Sequence, residues 1–198
     1  MNRVGLQGRR IIGYALAAAG VLALVRPVSE YTVGLLAQAS AIPTRAARVG
    51  NAPLVEGEAL GRLELPRLGL DLVVFEGASD ATLRKGPGHI PGTAWPNAPG
   101  TPGHCVITGH RDSFFRRLES ARRNDLVRLH GSFGTSIYRL ASRRVVRPHD
   151  VSVVAPTPEG RLTLITCYPF RWSGSAPYRL VWTAFPVDPR ERDAVALR

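Results

Sequence analysis

Beyond residue 60 the chain is a succession of brief apolar runs, each too short for a helix and each cut by Gly or Pro. Leu63-Glu64-Leu65 alternates, as does part of Leu70 to Phe75, and Val106-Ile107-Thr108 is β-branched. Further runs are Leu126 to Leu129, Ile137 to Leu140, Val145-Val146, Val151 to Val154, Leu162 to Thr166 and Leu180 to Phe185. Turn signals separate them at Pro87-Gly88, Pro91-Gly92, Pro99-Gly100, Pro102-Gly103 and Gly131 to Gly134. Short runs bounded in this way predict strands, and their number predicts an all-β sandwich or barrel. Helical signal in this region is limited to a turn from Ser113 to Leu118 capped by Asp112, and another over Ala81 to Lys85.

The amino end follows a different rule. Arg3, Arg9 and Arg10 precede an uncharged run from Ile11 to Val25 that is rich in Ala, Leu, Ile and Val. As a helix this run rises about 22 Å, short of a hydrocarbon core of about 30 Å. Flanking apolar residues extend it, with Arg10 and Arg26 reaching towards head groups. An uncleaved anchor over residues 11–27 is favoured over a cleaved signal peptide, because Ala37-Gln38-Ala39, the small-residue cleavage candidate, lies far beyond Val25. A buried core helix leaves the charge asymmetry unexplained. Three arginines ahead of the segment keep residues 1–10 in the cytoplasm and send the rest outside. Residues 28–59, Ala-, Pro- and Gly-rich with room for a short helix near Tyr31 to Ala41, read as a stalk.

Net charge is +11, from 26 basic and 15 acidic residues, and only Lys85 among the basic ones is a lysine. So strong an arginine skew, beside abundant Ala, Gly and Pro, reads as a composition bias and a generally basic surface. No RNP-like aromatic signature, zinc-finger spacing or basic heptad helix supports a nucleic-acid partner. Two cysteines are too few for a disulfide scaffold, and there is no C-x-x-C pair for zinc.

Three side chains stand where strands end. Cys167 follows Leu162-Thr163-Leu164-Ile165-Thr166 and precedes Tyr168-Pro169-Phe170, so the strand stops just beyond it. His110 follows Cys105-Val106-Ile107-Thr108-Gly109, and Arg179 opens Arg179-Leu180-Val181-Trp182-Thr183-Ala184. If these strands are neighbours, three loops deliver Cys, His and Arg to one rim: a nucleophile, a proton carrier and an oxyanion donor. Each also has an ordinary structural reading. A cysteine in an apolar run is as a rule a small buried hydrophobe, and a histidine after a strand is a polar turn residue.

The motifs decide between these readings. Thr163-Leu164-Ile165-Thr166-Cys167 resembles the TLxTC signature of the sortases, cysteine transpeptidases of bacterial cell envelopes. Cys167-Tyr168-Pro169-Phe170 and Gly109-His110-Arg111-Asp112-Ser113-Phe114-Phe115 are similar to class D sortases in particular. So are Gly61-Arg62-Leu63-Glu64-Leu65-Pro66, Gly86-Pro87-Gly88-His89-Ile90-Pro91-Gly92-Thr93-Ala94 and Ser175-Ala176-Pro177-Tyr178-Arg179. The likeness runs from about Gly61 to Phe185.

The resemblance implies an eight-stranded sortase β-barrel over residues 60–188, with short helices, followed by a tail at 189–198. It implies Cys167 as nucleophile, attacking after Thr in an LPxTG-like sorting signal to form a thioester. His110 would protonate the leaving amine and deprotonate the incoming one, and Arg179 would hold substrate backbone and the oxyanion. The acceptor would be an amine of a peptidoglycan precursor or a pilin lysine. No cofactor or metal is implied. Thr166, Trp172 and His89 are the expected substrate-binding residues, His89 as a turn residue shaping a loop near the groove. Arg111 reads as a solvated loop arginine or a partner of Asp112 or of envelope anions, and His104 as a strand-edge residue. Cys105, five residues before His110 and so on the opposite face of a regular strand, is expected to be a core thiol. Its rival reading is a disulfide to Cys167. An L,D-transpeptidase is disfavoured because Thr166-Cys167-Tyr168 lacks its His-Gly-Cys context. The competing non-enzymatic reading is an anchored barrel that binds anionic envelope polymers, with Cys167 and His110 inert.

Overall fold

Alternating apolar positions make the strands two-faced, and a sheet with one apolar face stabilises itself by closing around that face. In the computed structural model, which describes residues 3–40, 54–97 and 103–188, the strands do so. They are β1 (Ala59–Leu65), β2 (Leu70–Glu76), β3 (Gly88–His89), β4 (His104–Gly109), β5 (Leu126–Gly131), β6 (Gly134–Val146), β7 (Arg161–Tyr168) and β8 (Tyr178–Pro186). Their order around the closed barrel is β1-β2-β3-β4-β7-β8-β6-β5. The expected eight-stranded all-β barrel is therefore present.

The interior is built from the alternate residues Leu63 and Leu65, Cys105 and Ile107, Val127 and Leu129, Leu162 and Leu164, and Leu180, Trp182 and Ala184. Burying each such Leu stabilises the fold by about 1.5–3 kcal/mol relative to leaving it exposed. A second, smaller apolar cluster lies on the outer face, where Val106, Ile165 and Val181 are covered by Ile90, Val146, Val153 and Val154. Cys105 belongs to the interior, as expected. Burial, and secondarily the charge of Glu76, pushes its thiol well above the ordinary cysteine range.

Three local expectations are corrected. Val151–Val154 is a 3-10 turn and not a strand, because the Asp150 side chain accepts hydrogen bonds from the Ser152 backbone N–H (3.1 Å) and hydroxyl (2.5 Å). The runs Ile137 to Leu140 and Val145-Val146 are one strand, β6, bent by an irregularity between Leu140 and Ser142. His104 is a buried residue and not an edge one; its ring touches the Ala155 carbonyl (2.8 Å) and the Thr163 hydroxyl (2.6 Å). The turn near Ala81 is helix α2 (Asp80–Lys85), capped by Ser79.

The expected anchor segment lies inside one long helix, α1 (Arg3–Ser40), which also takes in residues 28–40 of the expected stalk. Leu, Ala and Gln after Pro27 favour helix and carry it onward. Among the described residues no helix meets the length and apolarity needed to cross a membrane. Residues 41–53 of the stalk, the Pro99-Gly100 turn and the 189–198 tail lie outside the described residues.

Gln38 in the last turns of α1 docks on the barrel. Gln38 Nε2 donates to the carbonyls of Val73 (3.0 Å) and Lys85 (3.1 Å), and its Oε1 accepts from the Val73 backbone N–H (2.6 Å). The carboxamide thus treats Val73 of β2 as a neighbouring strand would. Gly34 makes the approach possible, since a Cβ there would sit 2.9 Å from the Phe114 ring.

Candidate active site

Strand register places the three expected catalytic residues side by side. β4 and β7 run parallel, with Cys105 opposite Leu162 and Gly109 opposite Thr166. The next residue of each chain segment is His110 and Cys167. β7 and β8 run antiparallel, and Cys167 is directly opposite Arg179. His110, Cys167 and Arg179 therefore form one row across three adjacent strands, with neighbouring strands about 4.8 Å apart.

Alternation fixes the face on which the row stands. Leu162, Leu164, Leu180 and Trp182 point into the barrel, so Cys167 and Arg179 share the outer face with Ile165 and Val181. All three members of the row are half-buried. No hydrogen bond joins the Cys167 thiol to His110 among the described residues. The Arg179 guanidinium is engaged by its own loop, Nη1 donating to the carbonyls of Ala176 (3.3 Å) and Tyr178 (3.0 Å).

Gly109 packs closely against Phe115. A Cβ there would lie 3.0 Å from the ring of Phe115, a core residue of the turn that returns the chain beneath His110. The Phe115 backbone N–H donates to the His110 carbonyl (3.0 Å), closing that turn. The register also disposes of a disulfide. Cys105 lies at the level of Leu162, five residues from Cys167, a separation of about 16 Å along the strand where a disulfide tolerates about 7 Å between Cα atoms. Neither cysteine is in a disulfide.

The expected substrate-binding residues divide. Trp172 is 50% exposed in the β7–β8 loop, in contrast to the buried Trp95 and Trp182. Thr166 does not face the row: it pairs with the inward-pointing Leu180, is 1% exposed, and its hydroxyl donates to the Gly109 carbonyl (2.7 Å). It fastens β7 to β4 one residue before the row. His89 is likewise turned inward. It pairs with Ile107, an interior residue, and is 1% exposed. Its Nδ1 lies 2.6 Å from Glu76 Oε2 and its Nε2 3.0 Å from Thr93 Oγ1, so neither nitrogen is left for a substrate. Although flanked by two Pro-Gly turns, His89 is a strand residue.

One residue of the site had no clear role in the sequence. Arg111, next to His110, donates from Nη2 to the carbonyls of Trp172 (2.9 Å) and Gly174 (3.0 Å), across 61 and 63 residues of chain. Among the described residues the scattered carboxylates do not gather into a cation site. Asp125 is taken by Arg67, whose Nη2 donates to Oδ2 (2.5 Å), and by the Arg122 N–H (2.7 Å). Burial pushes the Asp125 carboxyl up, but these donors together outweigh it and hold the group below the ordinary range.

A sequence model of the sortase domain matches residues 63–187. Sortase D of Bacillus subtilis (strain 168) is 36% identical over 126 residues, which cover 63% of this chain and 62% of that protein. The chain thus matches less than two thirds of that relative's length. Among solved structures, sortase C from Clostridium perfringens SM101 is 28% identical with a TM-score of 0.59, covering 68% of this chain and 73% of that one. A lid mutant of sortase A from Corynebacterium diphtheriae is 26% identical with a TM-score of 0.60, covering 83% and 96%. A Clostridium perfringens sortase D5 transpeptidase shares the fold at a TM-score of 0.66, with 19% identity over 79% of this chain and 99% of that one. The domain match takes in β2 to β8 and every member of the row. On that evidence the chain belongs to the sortase family.

Proposed function

We propose that this protein is a membrane-anchored transpeptidase that cleaves an LPxTG-like sorting signal through Cys167 and transfers the acyl group to an envelope amine. The observation that carries the proposal is the registered row His110, Cys167, Arg179 on the outer face of the barrel. Cys167 gives its thiol proton to His110, and its sulfur attacks the carbonyl carbon of the Thr of the signal. The C–N bond breaks, the leaving amine takes its proton from His110, and a thioester remains. An incoming amine then attacks the thioester carbonyl and gives its proton to His110, and the Cys167 sulfur leaves. Atoms and protons balance with no cofactor.

Arg179 stands beside the reacting carbonyl, where a guanidinium stabilises negative charge on oxygen. Its Nη1 holds the carbonyls of Ala176 and Tyr178, which leaves Nε and Nη2 to donate to the substrate. The acceptor is an amine of a peptidoglycan precursor or a pilin lysine. Arginines ahead of residues 11–27 favour a single-pass anchor with the barrel on the extracytoplasmic side.

The test is intact mass of the purified chain after incubation with LPxTG-like peptides and with diaminopimelate or glycine nucleophiles. A thioester adduct is expected on the wild type and on Cys105→Ala, and none on Cys167→Ala. An adduct that persists in Cys167→Ala overturns the assignment of the nucleophile.

A further inference from the structure

The β7–β8 loop is gripped from both sides by guanidinium groups. On the His110 side Arg111 Nη2 donates to Trp172 O and Gly174 O, at 2.9 and 3.0 Å. On the opposite side Arg179 Nη1 holds Ala176 O of the loop (3.3 Å) and Tyr178 O at the start of β8 (3.0 Å). Between them the loop ties itself once, Trp172 Nε1 donating to Ser175 O (3.1 Å), and turns at Gly174 with φ +80°. Arg111 is not a solvated arginine: its Nη1 is closed off from water and has no hydrogen-bond partner among the described residues.

The two grips have different consequences. Arg179 is called on by the chemistry, and it holds Ala176 O and Tyr178 O through Nη1 alone, which leaves Nε and Nη2 for substrate. Arg111 is not called upon by the chemistry and can keep Trp172 and Gly174 in place throughout. Being next to His110 in the chain, it also ties the position of Trp172 to that of the proton carrier. We propose that Arg111 is a positioning residue, the fixed clamp of the β7–β8 loop, which holds Trp172 beside the catalytic row so that the sorting peptide binds a preformed wall. The proposal rests on the transpeptidase reading above, but its test does not depend on activity alone.

Arg111→Ala and Arg111→Lys are compared with the wild-type full chain by peptide kinetics and by acrylamide quenching of tryptophan fluorescence. Trp95 and Trp182 are buried, so Trp172 dominates the quenchable signal; Trp172→Phe supplies the blank. Arg111→Ala is expected to raise KM for the peptide about tenfold and leave kcat within about twofold, because uniform binding is lost. Quenching of Trp172 rises, with the thermal midpoint unchanged. Arg111→Lys, which keeps a charged donor, restores part of both. Unchanged Trp172 quenching in Arg111→Ala overturns the clamp, as does a loss in kcat that tracks a loss of thermal stability. If the alanine variant fails to fold, the lysine variant decides: quenching equal to wild type at reduced activity overturns the proposal. If the wild type cleaves no peptide, the transpeptidase reading fails by itself, and quenching of the substrate-free chain still decides whether Arg111 holds the loop.

Discussion

Cys167 and Arg179 are directly opposed residues of the β7–β8 ladder, with their side chains on the same outer face. Their separation is thus set by backbone hydrogen bonding on both sides, and neither relies on a mobile loop for its place. Opposed residues in an antiparallel pair have Cβ atoms about 4.5–5.5 Å apart, close enough for one substrate carbonyl to touch both side chains.

Arg179→Lys keeps the charge but loses the planar fork. A fall in kcat of about a hundredfold to a thousandfold is expected, the range for removing one oxyanion donor. Among the described residues the guanidinium bonds to the carbonyls of Ala176 and Tyr178, so stability should stay within about 1 kcal/mol. Steady-state kinetics and a denaturant melt check both halves. A variant with near-normal kcat removes Arg179 from the chemistry.

Cys105 and Cys167 should differ sharply towards thiol reagents. Cys105 is buried in the barrel with its thiol shifted upward, whereas Cys167 is half-buried on the outer face. Reagent titration of the native protein should modify one thiol, and of the denatured protein two. Cys105→Ala leaves a space of about one methylene and should cost about 1 kcal/mol, with the native titration unchanged. Modification of both thiols at equal rates in the native state contradicts the interior placement of Cys105.

The strands that frame the site are legible because the alternation of Leu162/Leu164 and Leu180/Trp182 is regular, and the row is legible because each member sits where a strand ends. The inward turn of Thr166 follows from the same alternation, being one residue from Cys167. His89 was obscured by its flanking turns: a two-residue strand has no periodicity to read. Val151–Val154 looks like a strand in composition, but the local competition of Asp150 for the backbone decides otherwise. Gln38 and Arg111 carry no local signal at all. Their partners lie 35 and 61 residues away, and only closure of the barrel brings them together.

The bond from the Thr166 hydroxyl to Gly109 O fastens β4 to β7 immediately before the row. Thr166→Val keeps the shape and removes that donor, at a cost of about 1 kcal/mol. Because the bond aligns His110 with Cys167, kcat should fall while KM for the peptide stays near its wild-type value. Thr166→Ser retains the hydroxyl and should recover most of the rate. A rise in KM alone returns Thr166 to the substrate-binding residues.

His104 gives the fold a dependence on acidity. Its pKa lies below the ordinary 6.5, first because burial disfavours the charged ring and then because Arg161 repels it, against a raising contribution from the Ala155 carbonyl. The unfolded chain therefore binds a proton at a pH where the folded chain resists it. The stability carried by the neutral ring is complete above about pH 6.5 and is lost as pH falls towards the folded pKa. The slope approaches at most about 1.4 kcal/mol per pH unit for one proton. His104→Gln cannot titrate, so its melts should be less sensitive to pH than those of the wild type between about pH 7 and pH 5. The stability gap between the two should narrow on acidification. A gap that widens means the ring is charged in the folded state, its Nε2 donating to Thr163 rather than accepting from it.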